Sequence, residues 1–182
     1  MKALKRLFGL QGGPEPDMRV LMVCSGNICR SPTAEEVLRA KLHRAGLGQR
    51  VAVDSAGTQG LHAKEPPDPR AQAHARRRGY DLSKLRARKV VAEDFARFHR
   101  IYAMDHGHLQ WLQDKAPPDA RARLALLMSH SPTGVVGGEV PDPYYGSDRD
   151  FERVLDCVEA ACDELVRDLR KELETLRPAR GG

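Results

Sequence analysis

Cys24 and Arg30 bracket the stretch Cys24-Ser-Gly-Asn-Ile-Cys-Arg-Ser-Pro32, which lies between an apolar run and an amphipathic one. A turn from a strand into a helix start can aim successive backbone N–H groups at one point, and the helix dipole adds partial positive charge there. Gly26 permits backbone angles that other residues resist. Arg30 contributes a planar, permanently charged fork that can hold two oxygens of one phosphate. The same field favours a thiolate at Cys24, since a cysteine pKa of about 8.5 falls to roughly 3.5–7.5 beside helix N-termini and cations. The spacing predicts a sulfur nucleophile facing the phosphorus of a bound phosphate, in line for attack.

A departing alkoxide or phenoxide needs a proton. Asp142, held between Pro141 and Pro143 in Val-Pro-Asp-Pro-Tyr-Tyr-Gly-Ser, is the candidate acid, and the same carboxylate can then take a proton from the water that hydrolyses the phosphocysteine. A positioned acid of this kind contributes typically about 10²–10⁴-fold in rate. An inert core thiol and a simple proline-flanked turn are the plain alternatives. Against them stands the order of features: strand, glycine-bearing loop, arginine, helix, and a rigid acidic loop far along an alternating chain.

The elements that must position these groups follow from the pattern. Val20 to Val23 is apolar without alternation and predicts a buried strand. Ser31 is the expected cap of the next helix and Pro32 its first residue, with Ala34, Val37, Leu38 and Leu42 at helical spacing and Gly46 as the stop. Arg50 to Thr58 predicts a second strand ending at Ser55 and Gly57; a proline-rich segment then leads into a helix capped by Asp68 and ended by Gly79. Phe98 to Met104 and Arg123 to Met128 predict two more strands, separated by a helix starting at Asp105. Residues 148 to 176 close the chain as a long helix with Phe151, Val154, Leu155, Val158, Cys162, Leu165 and Leu169 on one face. Alternation of this kind predicts a doubly wound α/β sandwich: a central four-stranded parallel sheet, helices on both faces, and the phosphate-binding loop beyond the first strand.

With 182 residues, 41% of them hydrophobic and 30% charged, the chain suits one compact domain, read as residues 18–177, with flexible segments at 1–17 and 178–182. No apolar stretch approaches the roughly 20 residues of a membrane span, and Lys5 and Arg6 break up the N-terminal apolar residues, so no signal peptide is expected. The net charge of +5 suits an anionic substrate, and no nucleic-acid-binding motif accompanies it. Four cysteines, at 24, 29, 157 and 162, are too sparse for a secreted disulfide scaffold and fit a reducing cytoplasm. Cys24 and Cys29 have no second ligand pair, and His106 and His108 stand alone, so neither zinc nor another metal is expected.

The nucleophile stretch, Asp54-Ser-Ala-Gly-Thr58, Glu65-Pro-Pro-Asp-Pro-Arg-Ala71 and Asp142-Pro-Tyr-Tyr-Gly146 together resemble the low-molecular-weight protein tyrosine phosphatases, in the right order over about residues 18 to 170. The resemblance implies Cys24 as nucleophile, Arg30 as phosphate clamp and Asp142 as general acid, with the amides of Ser25, Gly26, Asn27, Ile28, Cys29 and Arg30 holding the phosphate. It implies that Asn27 shapes the loop with Ser55, that Ser31 bonds the thiolate, and that Tyr144 and Tyr145 wall the substrate ring and are phosphorylated in some relatives. Cys29 matches a neighbouring cysteine that traps an oxidised nucleophile as a reversible disulfide. No cofactor and no metal are implied. The implied partner is a tyrosine-phosphorylated protein, in bacterial relatives often a tyrosine autokinase of polysaccharide export.

Two positions depart from the pattern. Leu61 stands where many members place an aromatic residue on the pocket rim, and Arg78 replaces a histidine that eukaryotic members often place in the network supporting Asn27. Three other functions share features of this chain. A thioredoxin-coupled arsenate reductase needs two further mid-chain cysteines, which are missing between Arg30 and Asp156. A phosphoarginine phosphatase carries threonine where Ile28 stands. A catalytically idle phosphoprotein-binding module would have no need of Cys24, Arg30 and Asp142 together.

Overall fold

The computed structural model describes residues 15–131 and 138–175. The expectations for residues 1–14 and 176–182 fall outside them. In chain order the elements are β1 (Met18–Cys24), α1 (Arg30–Arg44), β2 (Val51–Gly57), α2 (Pro69–Arg77), the short α3 (Asp94–Arg97), β3 (Arg100–Ala103), α4 (His106–Lys115), β4 (Arg123–Leu126) and α5 (Asp148–Thr175).

The four strands pair in parallel in the order β2-β1-β3-β4, with Cys24 opposite Gly57 and Val23 opposite Ala103. β1 is central and covered on both faces, which is why its apolar residues do not alternate with polar ones. Val20, Met22 and Cys24 face a core shared with α1 and α5, through Val37, Leu38, Val158 and Leu165. Leu21 and Val23 face the opposite core with Ile101, Ala103, Phe95 and Leu112. The strand order reverses at β1, so the carboxyl ends of β1 and β3 flank the crevice where such sheets bind ligands. Cys24 ends β1, and Asp105 follows β3 at the same edge.

Local expectations met the structure unevenly. Asp68 caps α2, accepting from the Arg70 amide at 2.8 Å, and Gly79 follows the helix with φ +84°. Gly46, with φ +73°, lies just past the end of α1. Ser31, however, does not cap α1: the helix begins one residue earlier, at Arg30, with Cys29 in the cap position and no side-chain cap bond. Pro32 is therefore the third helical residue rather than the first, still within the turn whose N–H groups have no intrahelical partner. Displacing the boundary puts the Ser31 side chain inside the site instead of on the helix end. Leu127 and Met128, read as strand, turn into a 3₁₀ segment, Leu127–His130. The four residues of α3 are too few to show a helical period.

Candidate active site

The loop from Cys24 to Arg30 turns its carbonyls outward. Cys24 O accepts from the Thr58 amide at 2.9 Å, Ser25 O from Gln59 at 3.0 Å, Ile28 O from Asp68 at 2.8 Å and Cys29 O from Thr33 at 3.3 Å. In a trans peptide the N–H points opposite to the carbonyl before it. The amides of Ser25, Gly26, Cys29 and Arg30 are thereby directed away from those outer partners, towards a cleft of about 270 Å³ that these residues line. Gly26 packs beneath the His62 ring, where an added Cβ would lie 3.1 Å from the His62 Cδ2.

A buried hydrogen-bond chain holds the loop in this shape. Asn27, in the left-handed region at φ +57°, donates through Nδ2 to Ser55 Oγ (2.8 Å) and to Ser31 Oγ (2.9 Å), while its Oδ1 accepts from the Arg88 amide at 2.9 Å. Ser55 in turn donates to Glu35 at 2.5 Å. Ser31 Oγ, which accepts from Asn27, lies 3.0 Å from the Cys24 sulfur and 3.4 Å from Ala56 O, so its one proton has the sulfur as the nearer acceptor whenever Cys24 is a thiolate. Burial raises the Glu35 carboxyl above its ordinary value, against the opposing pull of the Ser55 hydroxyl and the Arg39 guanidinium.

Arg30 is buried, and its fork spans two carboxylates. Nη1 donates to Asp105 Oδ2 at 2.8 Å, and Nη2 to Asp142 Oδ2 at 2.9 Å. Burial favours the neutral form of Asp105, but His108, through its ring and backbone N–H, and Arg30 outweigh it and hold the carboxyl well below the usual range. The loop carrying Asp142 is tied down at several points: Val140 N donates to Met104 O at 2.8 Å, Tyr144 N to Asp142 Oδ1 at 3.1 Å, and Arg70 to Tyr144 O at 3.0 Å. Tyr144 and Tyr145 meet edge to face with centroids 4.9 Å apart and line the cleft beside Ile28, Gln59 and His62. Sulfur, guanidinium fork, inward amides and a carboxylate thus share one mouth, an arrangement able to bind an oxyanion and attack its central atom.

Known proteins resemble this chain in sequence and fold. Residues 19–175 match the family model described as low molecular weight phosphotyrosine protein phosphatase. The chain belongs to this family. A Streptomyces coelicolor low molecular weight protein-tyrosine-phosphatase is 46% identical over 159 residues, covering 86% of this chain and 96% of that protein. Among solved structures, a protein tyrosine phosphatase from Entamoeba histolytica superposes with a TM-score of 0.81 at 36% identity, covering 86% and 99% of the two chains. A Drosophila arginine phosphatase superposes at 0.79 with 29% identity, covering 84% and 98%.

Within this low-molecular-weight phosphatase, Leu61 sits elsewhere than the resemblance suggested, and Arg78, the other departure from the pattern, has partners of its own. Leu61 is 79% exposed and does not line the cleft; its neighbour His62 does, held by Glu65 at 2.7 Å. Which of two adjacent loop residues points inward is a matter of backbone torsion that no periodic pattern encodes. Arg78 pairs with Glu152, Asp156 and Glu159 of α5, each a residue of one helical face, while the network around Asn27 includes Arg88 and, through Ser55, Glu35. Cys29 is a buried free thiol, and burial, with the Asp68 carboxylate, pushes it far above the ordinary thiol range. Cys162 is raised to about 12 by burial in α5, as befits a core thiol. Glu35 and Arg88 had no sequence signal of their own; Asp105 was visible only as the start of α4, and His108 only as one of a pair weighed for metal binding, with nothing to link either to the loop.

Proposed function

We propose that this phosphatase hydrolyses phosphotyrosine in proteins through a phosphocysteine, with Cys24 as nucleophile, Arg30 as phosphate clamp and Asp142 as general acid and then base. The incoming dianion takes the amides of residues 25–30 and the Arg30 fork, replacing the Asp142 carboxylate at Nη2; Asp142, released from the guanidinium and now facing the bound dianion, takes up a proton from solvent before the chemical step. The Cys24 sulfur attacks phosphorus as the P–O bond to the phenol breaks, and Asp142 gives its proton to the departing oxygen. Water then attacks the phosphocysteine, Asp142 takes a proton from it, the S–P bond breaks, and orthophosphate leaves. Tyr144 and Tyr145 flank the substrate ring.

The observation that carries this reading is the contact of the Arg30 fork with Asp142 at 2.9 Å, directly at the mouth that Cys24 lines, since it brings clamp, acid and nucleophile within one phosphate's reach. Ile28 on the cleft wall favours an aryl phosphate over phosphoarginine. Cys157 and Cys162, both buried on α5, are poor relays for an arsenate reductase. Four free thiols suit the cytoplasm, and among the described residues no helix is long and apolar enough to cross a membrane. We take the partner to be a tyrosine-phosphorylated protein and, by resemblance to bacterial relatives, a tyrosine autokinase.

Steady-state assays with p-nitrophenyl phosphate and with phenyl phosphate test the roles. Cys24→Ser should abolish turnover of both. Asp142→Ala should cost about 10²–10⁴-fold on phenyl phosphate and less on p-nitrophenyl phosphate, whose leaving group needs less protonation. A serine variant that kept substantial activity, or an equal loss on both esters, would overturn the assignment.

A further inference from the structure

Ser25 and Arg30 are the first and last residues of the loop that follows the nucleophile, and both are tied to the same turn of α4. Ser25 Oγ lies 2.7 Å from Nε2 of His108, a buried histidine. On the other side of that ring, Nδ1 lies 2.9 Å from Asp105 Oδ1, as an ion-pair contact rather than a full hydrogen bond. The same Oδ1 accepts from the His108 amide at 2.8 Å, capping α4, while Oδ2 accepts from Arg30 Nη1. The spacing of three residues brings Asp105 and His108 together across the first turn of the helix. Gly107, between them, keeps the turn open: an added Cβ would stand 3.3 Å from Asp105 Oδ1.

We propose that His108 is a positioning residue of the phosphate loop: its imidazole braces Ser25, while its backbone N–H holds the Asp105 carboxylate that braces Arg30, so that one residue serves both ends of the anion nest and its side chain sets the Ser25 end. The proposal rests on the reading of this loop as a phosphate site and adds to it a residue from a different element. Its physical basis is geometric. Asp105 has one oxygen for α4 and one for Arg30, so the orientation of its carboxylate plane, and with it the direction of the guanidinium fork, depends on what holds Oδ1. Ser25 heads the run of inward amides, and its side chain has a fixed partner on the far side of the β1–β3 crevice. A loss of preorganisation at either end is felt by the bound anion, because misplacement by about 1 Å is enough to cost 10²-fold in a reaction that depends on alignment. A histidine that merely capped or filled the start of α4 would instead affect stability alone.

Inorganic phosphate, titrated calorimetrically into the full chain carrying Cys24→Ser, reads the brace without turnover; p-nitrophenyl phosphate kinetics on the Cys24-containing chain supply KM and kcat. His108→Ala should weaken phosphate binding about tenfold, the scale set by one buried polar partner left unpaired, and should raise KM more than it lowers kcat. His108→Gln, which can still bond Ser25 Oγ, should recover most of the affinity. Ser25→Ala should weaken binding similarly, and the Ser25→Ala/His108→Ala double variant should be no weaker than the worse single one, since each single variant already removes the one side-chain contact between Ser25 and His108, and the His108 backbone bond to Asp105 survives in all of them. Phosphate affinity unchanged in His108→Ala despite a lowered melting temperature would overturn the proposal, as would effects of the two single variants that multiply. Should His108→Ala fail to fold, His108→Gln and Ser25→Ala still decide it: loss in the serine variant with retention in the glutamine variant supports the brace, and parental affinity in Ser25→Ala refutes it. A chain inert towards p-nitrophenyl phosphate would sink the phosphatase reading, while the phosphate titration would still answer for His108.

Discussion

At the scale of single residues, the site depends on groups whose geometry is not interchangeable with others of equal charge. Arg30 sends its two terminal nitrogens to two different carboxylates, Asp105 and Asp142. A lysine ammonium is a point charge on a flexible stem and cannot reproduce that fork. Arg30→Lys should therefore lower kcat on p-nitrophenyl phosphate by about 10²–10³-fold, the usual consequence of losing one preorganised donor to a developing anion; near-parental turnover would contradict the clamp. The two loop cysteines should likewise separate. Cys24 touches the Ser31 hydroxyl and opens to the cleft, whereas Cys29 is held as a neutral thiol by burial and by Asp68. Iodoacetamide at neutral pH should label Cys24 quickly and Cys29 hardly at all, with orthophosphate protecting Cys24. Peptide mass mapping checks this, and comparable labelling of both thiols is the adverse result.

At the scale of elements, the loop is shaped by its neighbours as much as by its own residues. β2 ends at Gly57, in register with Cys24, and presses its backbone against the loop. A Cβ at position 57 would lie 2.5 Å from Ser25 O, 3.0 Å from Gln59 O and 3.2 Å from Asn27 N. These are backbone atoms, so no rotamer change relieves the clash and the loop itself must move. Gly57→Ala should reduce kcat/KM at least about tenfold, since small displacements of an aligned site are costly. Gly60→Ala is the control, because there a Cβ meets only the flexible Lys89 side chain, at 3.4 Å. Equal activity of the two variants would show that the loop tolerates displacement.

At the scale of the whole molecule, α5 ties the acid loop to the sheet. It begins just after Tyr144 and Tyr145, is 28 residues long and packs against α1, α2 and the 3₁₀ segment, burying Leu165 and Leu169 completely. Leu165→Ala should cost about 2–5 kcal/mol of stability, as buried leucine truncations do, while activity per folded molecule stays near parental; urea unfolding and an assay well below the midpoint measure the two. Acid stability should follow Asp105. Its folded carboxyl lies below its ordinary value of 3.8 despite burial, because His108 and Arg30 stabilise the charged form. A group depressed in the folded state adds stability that is fully present above its unfolded pKa and is lost as pH falls through the folded one. The stability gap between the parent and Asp105→Asn should therefore narrow as pH is lowered below about 4; a widening gap would reverse the sign of the argument.

The strands and helices were legible because each rests on a local rule: unbroken apolar residues for a strand covered on both sides, three-to-four spacing for α1 and α5, an aspartate cap and a glycine stop for α2. Cys24, Arg30 and Asp142 stood out as candidates for a related reason: a thiol, a guanidinium fork and a proline-flanked carboxylate are visible as residue types, while the surroundings that set their reactivity are not. What the tertiary structure alone decided is which side chains share a partner. Glu35 reaches Ser55, Asn27 reaches Arg88, and Ser25 and Arg30 reach His108 and Asp105 across the crevice between β1 and β3. Such contacts depend on strand order and register, and on the torsions of irregular loops that turned His62 rather than Leu61 into the cleft. Hydrogen bonds form between atoms that packing brings within about 3 Å, and distance along the chain carries no record of that proximity.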